Sequence, residues 1–345
     1  MATLDEDSGT MNPFSGRRHG DPTGLGAPVS RREFLRLAGT GAVAAVAVAC
    51  TGGGGPKTVT TGPTSSGSID AISKGATELS LINAQSEMPT GRSLFTYGLS
   101  TPDGKLVQGG TPQVYVAQDQ SLPALGPFSS TWYQFAPASE FNDATTIPRT
   151  ALTGFYTAEV DIPSAGPWLF AGVAQIGGVR GVGTAALEAK TKVIAAIGSK
   201  AISMATPVAT SPAVAKQICT RVPPDPMHYI SLDAAIRNGK ATVVTFATPL
   251  LCESRLCGPV VDEQLLVFQK GGKDRANFIH VEEFLPGPDL QPPAPSLKNQ
   301  SPGFKAWGFT TEPWTIVIDS TGIIRARFEG PAVAAQIDQA LAPLL

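Results

Sequence analysis

An all-β domain followed by an α/β domain is the fold class that the sequence predicts, behind an N-terminal leader that belongs to neither. Three observations carry this reading of the 345 residues. Between Thr77 and Lys190, short β-branched apolar runs are separated by turn signals, and no helical periodicity develops. After about residue 215 the pattern becomes strand, helix, strand, then two strands around a tight turn and a last helix. Ahead of both, a basic cluster and a short run of small apolar residues lead to Cys50 and a stretch of Gly, Thr, Ser and Pro.

The leader covers residues 1–49. Ser30-Arg31-Arg32-Glu33-Phe34-Leu35-Arg36 precedes an apolar run from Leu37 to Ala49. That run is shorter than the roughly 20 residues needed to span a bilayer, and its layout is that of a signal peptide. Arg31 and Arg32 resemble a twin-arginine export signal. Ala47-Val48-Ala49-Cys50 resembles a lipobox, which would make Cys50 the lipidated first residue of a mature chain. Residues 50–76 are poor in apolar residues and read as a flexible tether. The expected location is therefore outside the cytosol, lipid-anchored to the cell membrane, where disulfides persist. Cys219, Cys252 and Cys257 are the cysteines left for chemistry.

The first domain is expected over residues 77–190. Strands are predicted at Glu78–Ala84, Ser93–Leu99, Gln113–Ala117, Thr131–Phe135, Phe155–Val160, Trp168–Gln175 and Gly181–Ala189. Pro102-Asp103-Gly104, Gly109-Gly110 and Gly177-Gly178 supply turns between them. Strands of this number and spacing predict an immunoglobulin-like β-sandwich, without the inter-sheet disulfide because the region has no cysteine. Residues 191–214 read as a linker. In the second domain, residues 215–345, Ser231 caps a short helix stopped by Gly239. Strand Ala241–Ala247, helix Pro259–Gln269, strand Asn277–Glu282, hairpin Trp314–Phe328 and helix Ala332–Leu341 follow. A Pro-rich loop from Leu285 to Pro302 interrupts them.

A net charge of −2 with 16% charged residues excludes a nucleic-acid footprint. No P-loop, dinucleotide fingerprint or Ser-His-Asp signature is apparent, and no cofactor is expected. The informative stretch is Thr242-Val243-Val244-Thr245-Phe246-Ala247-Thr248-Pro249-Leu250-Leu251-Cys252-Glu253-Ser254-Arg255-Leu256-Cys257-Gly258-Pro259. A strand here delivers two cysteines to a helix N-terminus, where backbone N–H groups and the helix dipole favour the thiolate.

This unit, together with Thr311-Glu312-Pro313-Trp314-Thr315-Ile316-Val317-Ile318-Asp319 and the closing hairpin and helix, resembles the thioredoxin-like fold over about residues 230–345. The resemblance implies thiol–disulfide exchange with the thiols and disulfides of exported proteins. It implies that Pro313 is a cis-proline facing the active cysteine, with the Glu312 backbone positioning a partner strand. The motif departs from the family's C-x-x-C, because Cys252 and Cys257 are five apart and Val260 stands where the second cysteine would be. Cys257 inherits the nucleophile position and Cys252 the resolving one, although Cys252 ends the strand as many family nucleophiles do. A Cys252–Cys257 disulfide requires the intervening residues to loop, since two residues five apart on one helix point roughly 140° away from each other. Arg255 could lower either thiol's pKa by folding over the site.

Two other readings remain open. The chain could be an interaction lipoprotein with a structural disulfide, or a copper-binding protein akin to the Sco-type chaperones, using two thiolates and a histidine. Of the three histidines, His19 lies in the leader, His228 in a loop and His280 in a core strand. Cys219 reads as a tucked-in free thiol or a further resolving group. A zinc site would need a fourth ligand not visible here, and no residue is assigned to a metal.

Overall fold

The seven runs read as strands between Thr77 and Lys190 do form strands, but they make one sheet rather than two. The structure, a computed structural model, describes residues 67–137, 140–141, 153–252, 254–285 and 299–345. Arg31, Arg32, Cys50 and most of the Pro-rich loop lie outside the described residues. Helix α1 (Ile69–Ser73) leads into β1 (Thr77–Asn83), the two-residue β2 (Met88–Pro89), β3 (Gly91–Ser100), β4 (Gln113–Ala117), β5 (Leu125–Gln134), β6 (Gly154–Ile162), β7 (Gly166–Ile176) and β8 (Val179–Lys190). Their order is β1-β3-β6-β5-β4-β7-β8, with β2 beyond β8, and β8 returns to pair with β1. That last pairing is parallel while the others around the ring are antiparallel. The result is a closed, mixed seven-strand barrel.

The seam depends on two glycines. Gly181 and Gly183 of β8 pair with Thr77 and Leu79 of β1. A Cβ on Gly183 would lie 2.9 Å from the Leu81 nitrogen and 3.0 Å from the Leu79 oxygen, and one on Gly181 would lie 2.7 Å from Leu79 Cδ1. Inward-facing Phe95, Tyr97, Leu99, Val114, Val116, Tyr156, Val160 and Phe170 fill the barrel. Phe95 and Phe170 are tilted on one another at 4.4 Å, and the buried Tyr97 hydroxyl is satisfied by Ser130 Oγ at 2.6 Å. The barrel interior is packed core, as expected at this strand number.

The second part is a small four-stranded sheet. After α2 (Pro212–Ile218) and α3 (Leu232–Ala235) come β9 (Thr242–Phe246), α4 (Cys257–Gln269), α5 (Gly272–Arg275), β10 (Asn277–Val281), α6 (Pro302–Trp307), β11 (Trp314–Ile318), β12 (Ile324–Glu329) and α7 (Ala334–Leu341). The order is β10-β9-β11-β12. β10 runs parallel to β9, while β11 is antiparallel to both β9 and β12. β9, β10 and β11 are buried at every position, so their residues divide between two faces. Val243, Phe278 and Val317 pack with Val261 and Leu265 of α4 and Ile337 and Leu341 of α7. Val244, Ile279 and Ile316 pack instead with Leu232 of α3 and Phe304 and Trp307 of α6.

This corrects the expected fold class of an α/β thioredoxin-like domain plus an immunoglobulin-like sandwich. The larger part is a mixed barrel, and the smaller is a separate sheet with few helices that does not by itself establish a thioredoxin-like domain. The physical reason is that a sandwich and a barrel both bury one face of each strand. They share a period of two and differ only in which strands pair. The two parts touch through Phe135 and Phe155 of the barrel and Val260 and Val333. Glu263 of α4 spans the contact, accepting from Ala136 N at 2.6 Å and Ala334 N at 2.8 Å. No helix among the described residues is long and apolar enough to cross a membrane.

Candidate functional site

β9 ends at Phe246, and the chain turns back on itself before α4 begins at Cys257. The turn is closed by Arg255 N donating to Cys252 O at 3.1 Å. Arg255 itself adopts a left-handed conformation, φ 59°. This loop brings the thiols together, as a helical spacing would not. The backbone N–H of Cys257 donates to Cys252 Sγ at 3.3 Å, and Ser254 Oγ lies 3.2 Å from the same sulfur. Cys252 thus does the work of an N-cap, since the nominal cap residue Leu256 offers no side-chain bond. The helix starts two residues before the expected Pro259, a position in the first turn where proline costs nothing.

Both thiols are free and buried, Cys252 at 4% exposure and Cys257 at 0%. Hydrogen bonding draws the Cys252 thiol down to about 6: the Cys257 thiol contributes most, then Ser254 and the N–H groups of Cys257 and Leu256, against the opposing effect of burial. Burial pushes Cys257 well up, helped by its hydrogen bond to Cys252. The pair is therefore asymmetric, with Cys252 drawn down and Cys257 pushed up. The sequence places Cys257 in the family's nucleophile position and Cys252 at the strand end, where many family nucleophiles sit, and the shifts at the two thiols differ in the direction of the second assignment. Arg255, considered as an electrostatic activator, is exposed, and hydrogen bonds account for the shift at Cys252.

Glu312 completes the site. Its carboxylate and the two sulfurs lie within 4.8 Å of one another, and the Glu312–Pro313 bond is cis. Burial holds Glu312 well above the usual carboxylate range, reinforced by Cys252 and by Glu283. Thr248 fastens the surroundings: its hydroxyl accepts from Glu283 N at 2.7 Å and Phe284 N at 3.1 Å, and its backbone bonds to Cys257. Sequence reading used only the backbone of Glu312. An acidic residue directly before Pro313 was the available signal for its side chain.

Cys219, His228 and His280 do not join this pair. They gather with Asp225 in a second buried cluster. Hence the two-thiolate, one-imidazole arrangement considered for copper is not formed among the described residues, and Cys219 is not placed to resolve the Cys252–Cys257 pair.

No protein-family model matches the chain, and no curated protein is significantly similar to it. Among solved structures, the chain is similar to a thiol:disulfide interchange protein of the thioredoxin family from Chlorobium tepidum TLS. The identity is 18% and the TM-score 0.26, over 42% of this chain and 99% of that one. A likeness this remote carries no weight for activity, which has to be read from the site.

Proposed function

We propose that the protein exchanges disulfides with partner proteins through Cys252 and Cys257, as an exported thiol–disulfide oxidoreductase held at the membrane. The observation that supports it best is the asymmetry of the pair, a sulfur drawn down to about 6 beside a thiol pushed well up. The Cys252 thiolate attacks a partner disulfide, forming a mixed disulfide and releasing the partner's first sulfur as a thiolate that takes a proton from solvent. The negative charge on Cys252 is then gone, which removes one of the influences that keep Glu312 protonated. Glu312 gives its proton to solvent and accepts that of Cys257. The resulting thiolate attacks Cys252 Sγ, the Cys252–Cys257 disulfide forms, and the partner's second sulfur leaves as a thiolate. Two electrons pass from the pair to the partner; the reverse sequence oxidises a partner dithiol.

The expected test is trapping. With a peptide disulfide as partner, Cys257→Ser accumulates a mixed disulfide on Cys252, while Cys252→Ser accumulates none. Glu312→Gln, which keeps both thiols, forms the mixed disulfide at the parent rate and releases it about 10²-fold more slowly, the low end of a positioned proton acceptor. Equal trapping at Cys257 in the Cys252→Ser chain would return the nucleophile to Cys257.

Export and anchoring rest on Arg31, Arg32 and Cys50 alone. The mass of the membrane-isolated chain checks them: a chain beginning at a lipid-modified Cys50 is expected, and one retaining residues 1–49 contradicts the tether.

A further inference from the structure

We propose that Cys219, Asp225, His228 and His280 form a closed four-ligand site for a divalent transition ion, zinc above all. The inference does not depend on the exchange reading. All four donors are buried, at 3%, 4%, 2% and 1% exposure. One ligand atom from each lies within 4.8 Å of every other. Cys219 Sγ is 3.3 Å from Asp225 Oδ2 and 3.9 Å from His280 Nδ1. Asp225 Oδ2 is 2.7 Å from His280 Nδ1 and 3.5 Å from His228 Nε2. Tetrahedral zinc, with bonds of about 2.0–2.3 Å, separates its ligand atoms by about 3.3–3.6 Å. The four closest spacings, 2.7–3.9 Å, lie around that range: the Asp225–His280 contact has to open by about 0.6 Å and the Cys219–His280 one to close by about 0.3 Å.

Two features separate this cluster from an ordinary buried hydrogen-bond network. Hydrogen bonds link Cys219, Asp225 and His280 at 2.7–3.9 Å, whereas His228 Nε2, buried and aimed at Asp225, has only the long 3.5 Å contact with Asp225 Oδ2. A buried imidazole nitrogen held only at that distance is weakly compensated for its burial, and an ion bound between the two groups would satisfy both. The outer contacts are also those of ligands held in place. His280 Nε2 is 3.0 Å from Ala247 O; on a neutral ring a proton held there would leave the Nδ1 lone pair to face an ion. Asp225 Oδ1 accepts from Met227 N at 2.9 Å, which leaves Oδ2 as the oxygen that faces the other three donors.

Arg221 fastens the ligand loop through Asp262 at 3.0 Å and Pro223 O at 2.8 Å. A surface cleft of about 310 Å³ has Asp225 and His228 among its lining residues. One thiolate, one carboxylate and two imidazoles suit a borderline-soft ion, and four protein ligands leave no open position, so the site is structural rather than catalytic. It would pin the 219–228 segment against Ala247, at the end of the strand that leads to Cys252.

The test uses the full chain, reduced, stripped of metal and titrated with cobalt(II) alone. A tetrahedral cobalt spectrum with a thiolate charge-transfer band, saturating at one ion per chain and displaced by zinc, is expected. It should persist in the Cys252→Ser/Cys257→Ser chain and be lost in Cys219→Ser and in His228→Ala. Zinc should raise the melting temperature of the parent chain but not that of His228→Ala. A parent spectrum without a thiolate band overturns the site whatever the variants do. A band that survives His228→Ala, or that vanishes only with Cys252 and Cys257, overturns it as well.

Discussion

At Cys252, hydrogen bonds take the part that a neighbouring cation plays at many reactive thiols. The sequence pointed to Arg255 for that part, because it stands between the cysteines. The left-handed turn that closes the loop leaves its side chain exposed, and the sulfur meets Ser254 and the first N–H groups of α4 instead. The consequence is measurable. Alkylation of Cys252 in the Cys257→Ser chain should rise through a midpoint well below the 9.0 of an unperturbed thiol, toward the parent's value of about 6. Losing the Cys257 thiol raises that midpoint somewhat, since its hydrogen bond is the largest contribution. A midpoint near 9 would mean that the helix end does not activate the sulfur. Linkage has the same sign. The depressed folded value of Cys252 contributes stability to the reduced protein that is complete above about 9 and is lost as pH falls through about 6, while the raised value of Cys257 works against folding above about 9.

Strands and helices were legible from local pattern, because burial of one face or both writes itself into the sequence. Each expected strand of the first region overlaps an observed one, from β1 to β8. Their closure was not legible, since alternation is blind to pairing partners. The trace of closure lies in small residues: Gly181 and Gly183 sit where β8 meets β1, and in sequence they pass for ordinary weak points of a strand. Gly183→Val should therefore lower stability by about 1–3 kcal/mol, with a fall in melting temperature, since a side chain there meets the backbone of β1. An open sandwich edge at this position would accept valine without loss. A thermal melt of the two chains decides between these.

Across the whole molecule, chemistry was legible where it is local and hidden where it is assembled from afar. Cys252 and Cys257 announce themselves because strand, loop and helix follow one another within a single short segment. Glu312 reaches them only because β11 lies beside β9. Asp225, between Pro224 and Pro226, joins His280 because the loop carrying it folds over β10. The redox centre is the claim on which the rest of the functional account stands. Its most direct test is the reduction potential of the Cys252–Cys257 pair, read by mass after the full chain has equilibrated in thiol buffers. A thiolate-stabilised pair should fall between about −120 and −270 mV, the span of exchange proteins, and toward the oxidising end. A pair that stays oxidised well below about −300 mV would be a structural disulfide, and the proposed exchange activity would be wrong.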